Sequence, residues 1–141
     1  MTAVLEASNL VRDYHVGGGL FGRSRTVHAL KNVSLRVEKG RTLAVVGESG
    51  CGKSTLARII TMIDAPTAGA LKIDGETIDI RHGLTKQMRR KVQIVFQNPY
   101  GSLNPRQKIG DVLAEPLLLN TDMAAAERRD RAMEMLQKVG L

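Results

Sequence analysis

Apolar and polar residues alternate along Val33-Ser-Leu-Arg-Val37 with the period of two of a half-buried strand, and Val4 to Arg12 reads as an earlier strand. The two are expected to pair antiparallel. Gly17 to Arg25, glycine-rich, basic and without periodicity, is then an excursion from the hairpin. Glu38-Lys39-Gly40 is a turn, and Arg41-Thr-Leu-Ala-Val-Val46 is nearly continuous in apolar residues, the pattern of a central strand buried on both faces. Leu56, Ile59, Ile60 and Ile63 recur at i, i+3, i+4 and i+7, giving one stripe of a helix that Pro66 and Gly69 end. Asp74-Gly75, between Leu71-Lys-Ile73 and Thr77-Ile78, signals a hairpin and implies a second small sheet. Leu84 to Lys91 reads as a short basic helix, Val92 to Phe96 as another buried strand, and Asn98 to Arg106 as loop. Ile109 to Leu119 and Met123 to Val139 read as helices, the last closed by Gly140.

Composition narrows this pattern to a class. At 141 residues and 43% hydrophobic, the chain has the apolar material of one ordinary domain. Aromatic residues are only 3%, with no Trp, so the core is aliphatic, which favours an α/β fold over a sandwich. A single cysteine, Cys51, allows no internal disulfide, so a reducing, cytoplasmic compartment is expected. The first residues lack the basic and apolar regions of a secretory signal, and no apolar run approaches the roughly 18 residues that would span a bilayer. A membrane role would therefore be peripheral. The net charge of +7 admits anionic partners, but the basic residues are scattered, as on a solvated surface, with clusters only at Arg89-Arg90-Lys91 and Arg128-Arg129.

One segment carries chemistry. Gly47-Glu-Ser49-Gly50-Cys51-Gly52-Lys53-Ser54-Thr55 fits G-x-x-x-x-G-K-[ST] and lies between an expected buried strand and an amphipathic helix. Glycines let the backbone curl so that successive N–H groups point inward, and the helix start adds partial positive charge, together making a nest for phosphates. Lys53 is expected to reach the β- and γ-phosphates of a nucleoside triphosphate, and the Ser54 hydroxyl to complete the coordination of Mg²⁺. With glycine near 7% of residues, chance produces this pattern in under about one in a hundred chains of such length. Gly17-x-Gly19-x-x-Gly22 also fits a dinucleotide-binding pattern, but Arg23-Ser-Arg25-Thr26 follows it where a helix should start, so it is read as a decoy. Cys51 sits inside the nest beside Lys53, and the preferred reading is that the position merely tolerates any small residue, with a reactive thiol as the competing one. Alkylating Cys51 is expected to block nucleotide binding, with bound ATP protecting. Unchanged ATP binding after complete modification would refute this.

Thr42 to Thr55 resembles the Walker A segment of ATP-binding cassette (ABC) transporter subunits. Val92-Gln-Ile-Val-Phe-Gln97-Asn-Pro-Tyr-Gly-Ser-Leu-Asn-Pro-Arg106 resembles the Q-loop of the dipeptide and oligopeptide importers, and Glu115-Pro-Leu-Leu-Leu119 with the basic helix after it continues the likeness. The resemblance implies an α/β P-loop NTPase fold, an ABC nucleotide-binding domain present in part, with an N-terminal antiparallel β-subdomain. The β-subdomain and Walker A core would take about 1–96, and the Q-loop and start of a helical subdomain about 97–141. It implies that Gln97 joins Ser54 on Mg²⁺ and on the attacking-water side of the γ-phosphate, giving Lys53 and Gln97 as catalytic candidates. An amide can accept from water and donate to phosphate at once. On spacing alone, Gln97 reads as a polar strand end facing solvent, and the resemblance reverses that reading. Tyr14 takes the place of the family's adenine-stacking aromatic, with a half-buried core aromatic as the competing reading. His15 and His28 read as surface residues.

The likeness also marks what these residues do not include: the signature segment, the Walker B strand with its acidic pair, and the switch histidine. Asp111, Glu115 and Asp122 follow no apolar strand of the Walker B kind. Phosphoryl transfer needs the water positioned and developing charge spread, so the chain alone is expected to hydrolyse ATP negligibly and to leave apolar surface open. The reading is an ATP-binding subunit of a dipeptide or oligopeptide importer at the cytoplasmic face of the inner membrane. Its expected partners are a second ATP-binding subunit, membrane permease subunits met through Gln97 to Arg106 and, indirectly, a peptide-binding protein. Rivals are a non-catalytic nucleotide-binding remnant, a small-molecule kinase or GTPase, and a basic nucleic-acid binder; nucleic acid is not expected as a partner because neither an aromatic RNA-binding pair nor a helix-turn-helix pattern occurs.

Overall fold

The computed structural model describes residues 2–17, 25–98, 101 and 103–141. Most of the expected glycine-rich excursion, including the Gly17-x-Gly19-x-x-Gly22 pattern, lies outside the described residues. The chain forms two compact units, Met1–Ile94 and Val95–Leu141.

In the first unit, strands β1 (Ala3–Val16) and β2 (Arg25–Glu38) pair antiparallel, each longer than its alternating core suggests. The extra length comes with bulges that the period-two pattern hides. Asn9 and Asn32 adopt φ values of 51° and 57°, a left-handed conformation that asparagine tolerates, and the β1–β2 register shifts between Ala7 and Leu10. The shift puts Ala7 and Leu10, three residues apart, on the buried face together. Strand β3 (Ala68–Ile73) joins the other edge of β1, and β4 (Glu76–Thr77) turns back through Asp74-Gly75. The hairpin expected to start a second small sheet therefore extends the first, in the order β2-β1-β3-β4. Gly69 makes that junction possible: a Cβ there would lie 2.4 Å from the Asn9 carbonyl oxygen.

Helix α1 (Lys53–Ile60) belongs to the same core as this sheet. Leu56 and Ile59 are buried as the helical stripe requires, but the chain turns at Met62 (φ 60°), which buries Met62 and exposes Ile63. Helix α2 (Lys86–Lys91) is capped by Thr85, whose hydroxyl accepts from the Met88 N–H, and it sends Met88 into the same core. Between β4 and α2, Asp79 accepts from the Arg81 N–H and from the His82 ring, and those bonds, the imidazole first, hold its carboxyl below its ordinary range.

Two expected strands do not form. Residues 41–46 and 92–96 run without strand structure, with Val46 87% and Val95 96% exposed. A strand exists only through ladder bonds to a neighbour, and no described residue supplies them to residues 42–46. Leu43, Val45, Val46, Val95 and Phe96 consequently lie open, while Val92 still packs against the core.

The second unit holds helices α3 (Ile109–Asn120) and α4 (Ala125–Lys138), packed against each other. Gly140, at φ 83°, closes α4: its N–H donates to Gln137 and the Leu141 N–H donates to Leu136, the paired bonds of a Schellman ending. Asp111 and Glu115 are exposed on α3, and Asp122 follows it.

Candidate phosphate-binding site

The loop Gly47–Thr55 sits at the start of α1, where three glycines take backbone conformations that a side chain would strain: Gly47 at φ 156°, Gly50 at 80° and Gly52 at 99°. Gly52 occupies the position before the helix and presses on β2, so that a Cβ there would lie 2.5 Å from the Ala29 carbonyl oxygen and 3.0 Å from Leu30. That contact ties the loop to the sheet. The first helical N–H groups, of Lys53, Ser54 and Thr55, have no protein acceptor among the described residues.

Lys53 folds back over this loop. Its Nζ donates to the carbonyls of Gly47 at 2.7 Å and Glu48 at 2.6 Å and lies 3.5 Å from the Cys51 sulfur. A full positive charge is thereby held among unpaired amide donors on an exposed loop, with Ser49, Cys51 and Ser54 exposed beside it. A cradle of free N–H donors around an ammonium fits an anion with several oxygens, and the Ser54 hydroxyl is the hard oxygen donor that suits Mg²⁺.

Tyr14 lies half-buried on β1, two rungs of the ladder from this contact: Arg12 pairs with Leu30, and Tyr14 with Val27. Its hydroxyl donates to Asp64 Oδ2 at 2.7 Å, and the Arg12 guanidinium stands over the ring at 4.5 Å. Asp64 also accepts from Arg12 at 2.8 Å and faces Arg58 at 3.5 Å. No motif in the sequence includes Arg12 or Asp64. Arg12 and Tyr14 share a strand face at i and i+2, a legible signal, but nothing local announces that Asp64 meets them. His28 pairs with Asp13, and His15 with Thr26, on the exposed part of the same hairpin.

Gln97 is exposed and belongs to the second unit, whereas Lys53 and Ser54 belong to the first. No described helix is long and apolar enough to cross a membrane.

A glycine loop that opens a helix over a β-sheet and holds a lysine at its mouth is the arrangement of the P-loop NTPases. The family model for ABC transporters matches residues 30–141, and the chain belongs to that family. It is 56% identical to the di/tripeptide transport ATP-binding protein DppF of Pseudomonas aeruginosa over 142 residues, covering 100% of this chain and 44% of that protein. The dipeptide transport ATP-binding protein DppF of Escherichia coli is 53% identical over 140 residues, covering 98% of this chain and 42% of its own length. The chain thus spans less than half the length of these relatives. Among solved structures, the dimeric cassette MJ0796, described as a post-hydrolysis state bound to ADP and Pi, superposes with a TM-score of 0.74 at 34% identity, covering 94% of this chain and 56% of that one. The fold is that of an ABC nucleotide-binding domain, represented here in part.

Proposed function

We propose that this chain provides the phosphate-binding part of the ATP-binding subunit of a dipeptide or oligopeptide importer, which couples ATP binding and hydrolysis to peptide uptake across the inner membrane. The observation that carries the nucleotide half of this reading is the Gly47–Thr55 loop, with its positive-φ glycines, unpaired amides and Lys53 ammonium on one exposed cradle. The peptide half rests on the likeness to two proteins named for dipeptide or tripeptide transport.

In this reading the loop amides and Lys53 take the β- and γ-phosphates, Ser54 and Gln97 hold Mg²⁺, and Tyr14 carries the adenine. The bound Mg²⁺ would neutralise phosphate charge and orient the γ-phosphate for attack by water. Residues 1–96 would supply the β-subdomain and Walker A core, and 97–141 the Q-loop and first helices of a helical subdomain that meets the permease. A second ATP-binding subunit would close over the nucleotide from the other side, at the cytoplasmic face of the membrane.

Uptake of a labelled dipeptide by cells tests the proposal. Deleting the gene is expected to lower uptake, and the intact gene is expected to restore it where a copy bearing Lys53→Ala does not. Uptake that is unaffected by the deletion would overturn the peptide assignment while leaving nucleotide binding to be judged on the purified protein.

A further inference from the structure

The group formed by Arg12, Tyr14, Arg58 and Asp64 does more than fill space. Asp64 lies four residues past the end of α1, where the N–H groups of Ile63 and Asp64 both return to the Arg58 carbonyl, at 2.8 and 3.1 Å. Its carboxylate is the shared acceptor of the Tyr14 hydroxyl and the Arg12 guanidinium. Arg12 in turn lies over the Tyr14 ring, while its Nε is buried without an acceptor among the described residues. One face of the ring is therefore covered by a cation, and the hydroxyl fixes the ring's tilt.

We infer that Asp64 is a positioning residue for a one-sided base platform: through the Tyr14 hydroxyl and Arg12 it holds the half-buried ring so that a nucleobase stacks on the face opposite Arg12. The inference rests on the proposal that Tyr14 carries the adenine. Its physical content is preorganisation. A phenol ring held by a carboxylate and a guanidinium loses little further freedom when a base stacks on it, so more of the stacking energy appears as affinity. One helix, about 12 Å long for its eight residues, then serves both ends of the nucleotide, with the phosphate cradle at its start and the platform's anchor in the turn past its end.

The test compares ATP with inorganic tripolyphosphate, which presents phosphates without a base, by calorimetric titration of the protein and three variants. Tyr14→Ala removes the platform and is expected to weaken ATP about 5- to 150-fold, the range for losing one stacked base, leaving tripolyphosphate unchanged. Tyr14→Phe keeps the ring and the Arg12–Asp64 pair, and Asp64→Asn keeps the shape while removing the charge. Each is expected to weaken ATP several-fold with tripolyphosphate again unchanged. If Tyr14→Ala binds ATP as the parent does, the platform assignment falls and this inference with it. If Tyr14→Ala weakens ATP but both Tyr14→Phe and Asp64→Asn match the parent, the platform stands and the role of Asp64 is wrong. Equal loss for ATP and tripolyphosphate in the two conservative variants would show a general structural effect and also overturn it. Tyr14→Phe leaves the ion pair in place, so the question can be answered even if Asp64→Asn unfolds.

Discussion

Gly52→Ala is expected to lower stability by about 2–4 kcal/mol and to abolish measurable ATP binding, whereas Gly50→Ala, two residues away, is expected to lose no more than about 1–2 kcal/mol. Both glycines have positive φ, 99° and 80°, so both substitutions force a side chain into the left-handed region, worth about 1–2 kcal/mol. They differ in what the new methyl group meets. At Gly50 there is nothing within 4 Å, but at Gly52 the Cβ would stand 2.5 Å from the Ala29 carbonyl oxygen, a backbone atom of a paired strand that cannot swing aside. Relief must come from moving the loop away from β2, and that movement also displaces the N–H groups of Lys53, Ser54 and Thr55. Thermal unfolding and ATP titration of the two variants check this. Equal behaviour of Gly50→Ala and Gly52→Ala would mean that the loop is not held by β2.

The same contact shows what the sequence could and could not say. The spacing of the glycines and Lys53 located the loop, because backbone curvature and a lysine at a helix start are local demands. That Gly52 must be glycine because Ala29 lies behind it is a tertiary fact with no local trace. The helices were legible for the first reason: α3 and α4 fall within two residues of their expected limits, while α1 ends at Ile60, short of the Ile63 and Pro66 expected to close it. The larger failures concern strands. Residues 41–46 and 92–96 have the composition of buried strands, yet composition supplies only a preference, and the ladder must come from elsewhere in the fold. The sheet containing β3 was misjudged because Gly69, which lets β3 approach the Asn9 bulge, reads in sequence only as a helix breaker. Asp64 escaped for a related reason: its partners Arg12 and Tyr14 are 52 and 50 residues earlier in the chain. Residues whose role is set by their own neighbours in sequence are readable, and those whose role is set by a distant segment are not.

Lys53→Ala separates the chemistry of the loop from its architecture. The ammonium donates to the Gly47 and Glu48 carbonyls, both exposed, so water can replace the lysine at each acceptor when it is removed. The stability cost is therefore expected to stay within about 1 kcal/mol, unlike that of Gly52→Ala. The effect on ATP should be large. Charge-assisted hydrogen bonds contribute roughly 1.5–3 kcal/mol each, and a lysine shared between the β- and γ-phosphates makes two, so ATP binding is expected to weaken at least about 100-fold. Because the lost interaction is between a cation and an exposed polyanion, the parent's affinity should fall with added salt more steeply than the variant's. Lys53→Arg keeps the charge but replaces a compact ammonium with a planar fork too wide to fold back onto two adjacent carbonyls, so it is expected to recover only part of the affinity. Titrations at two salt concentrations, with melting curves on the same samples, distinguish these outcomes. A Lys53→Ala variant that melts like the parent and still binds ATP with its affinity and salt dependence would remove Lys53 from the phosphate site, leaving the amides of α1 and the glycine loop to bind the anion alone.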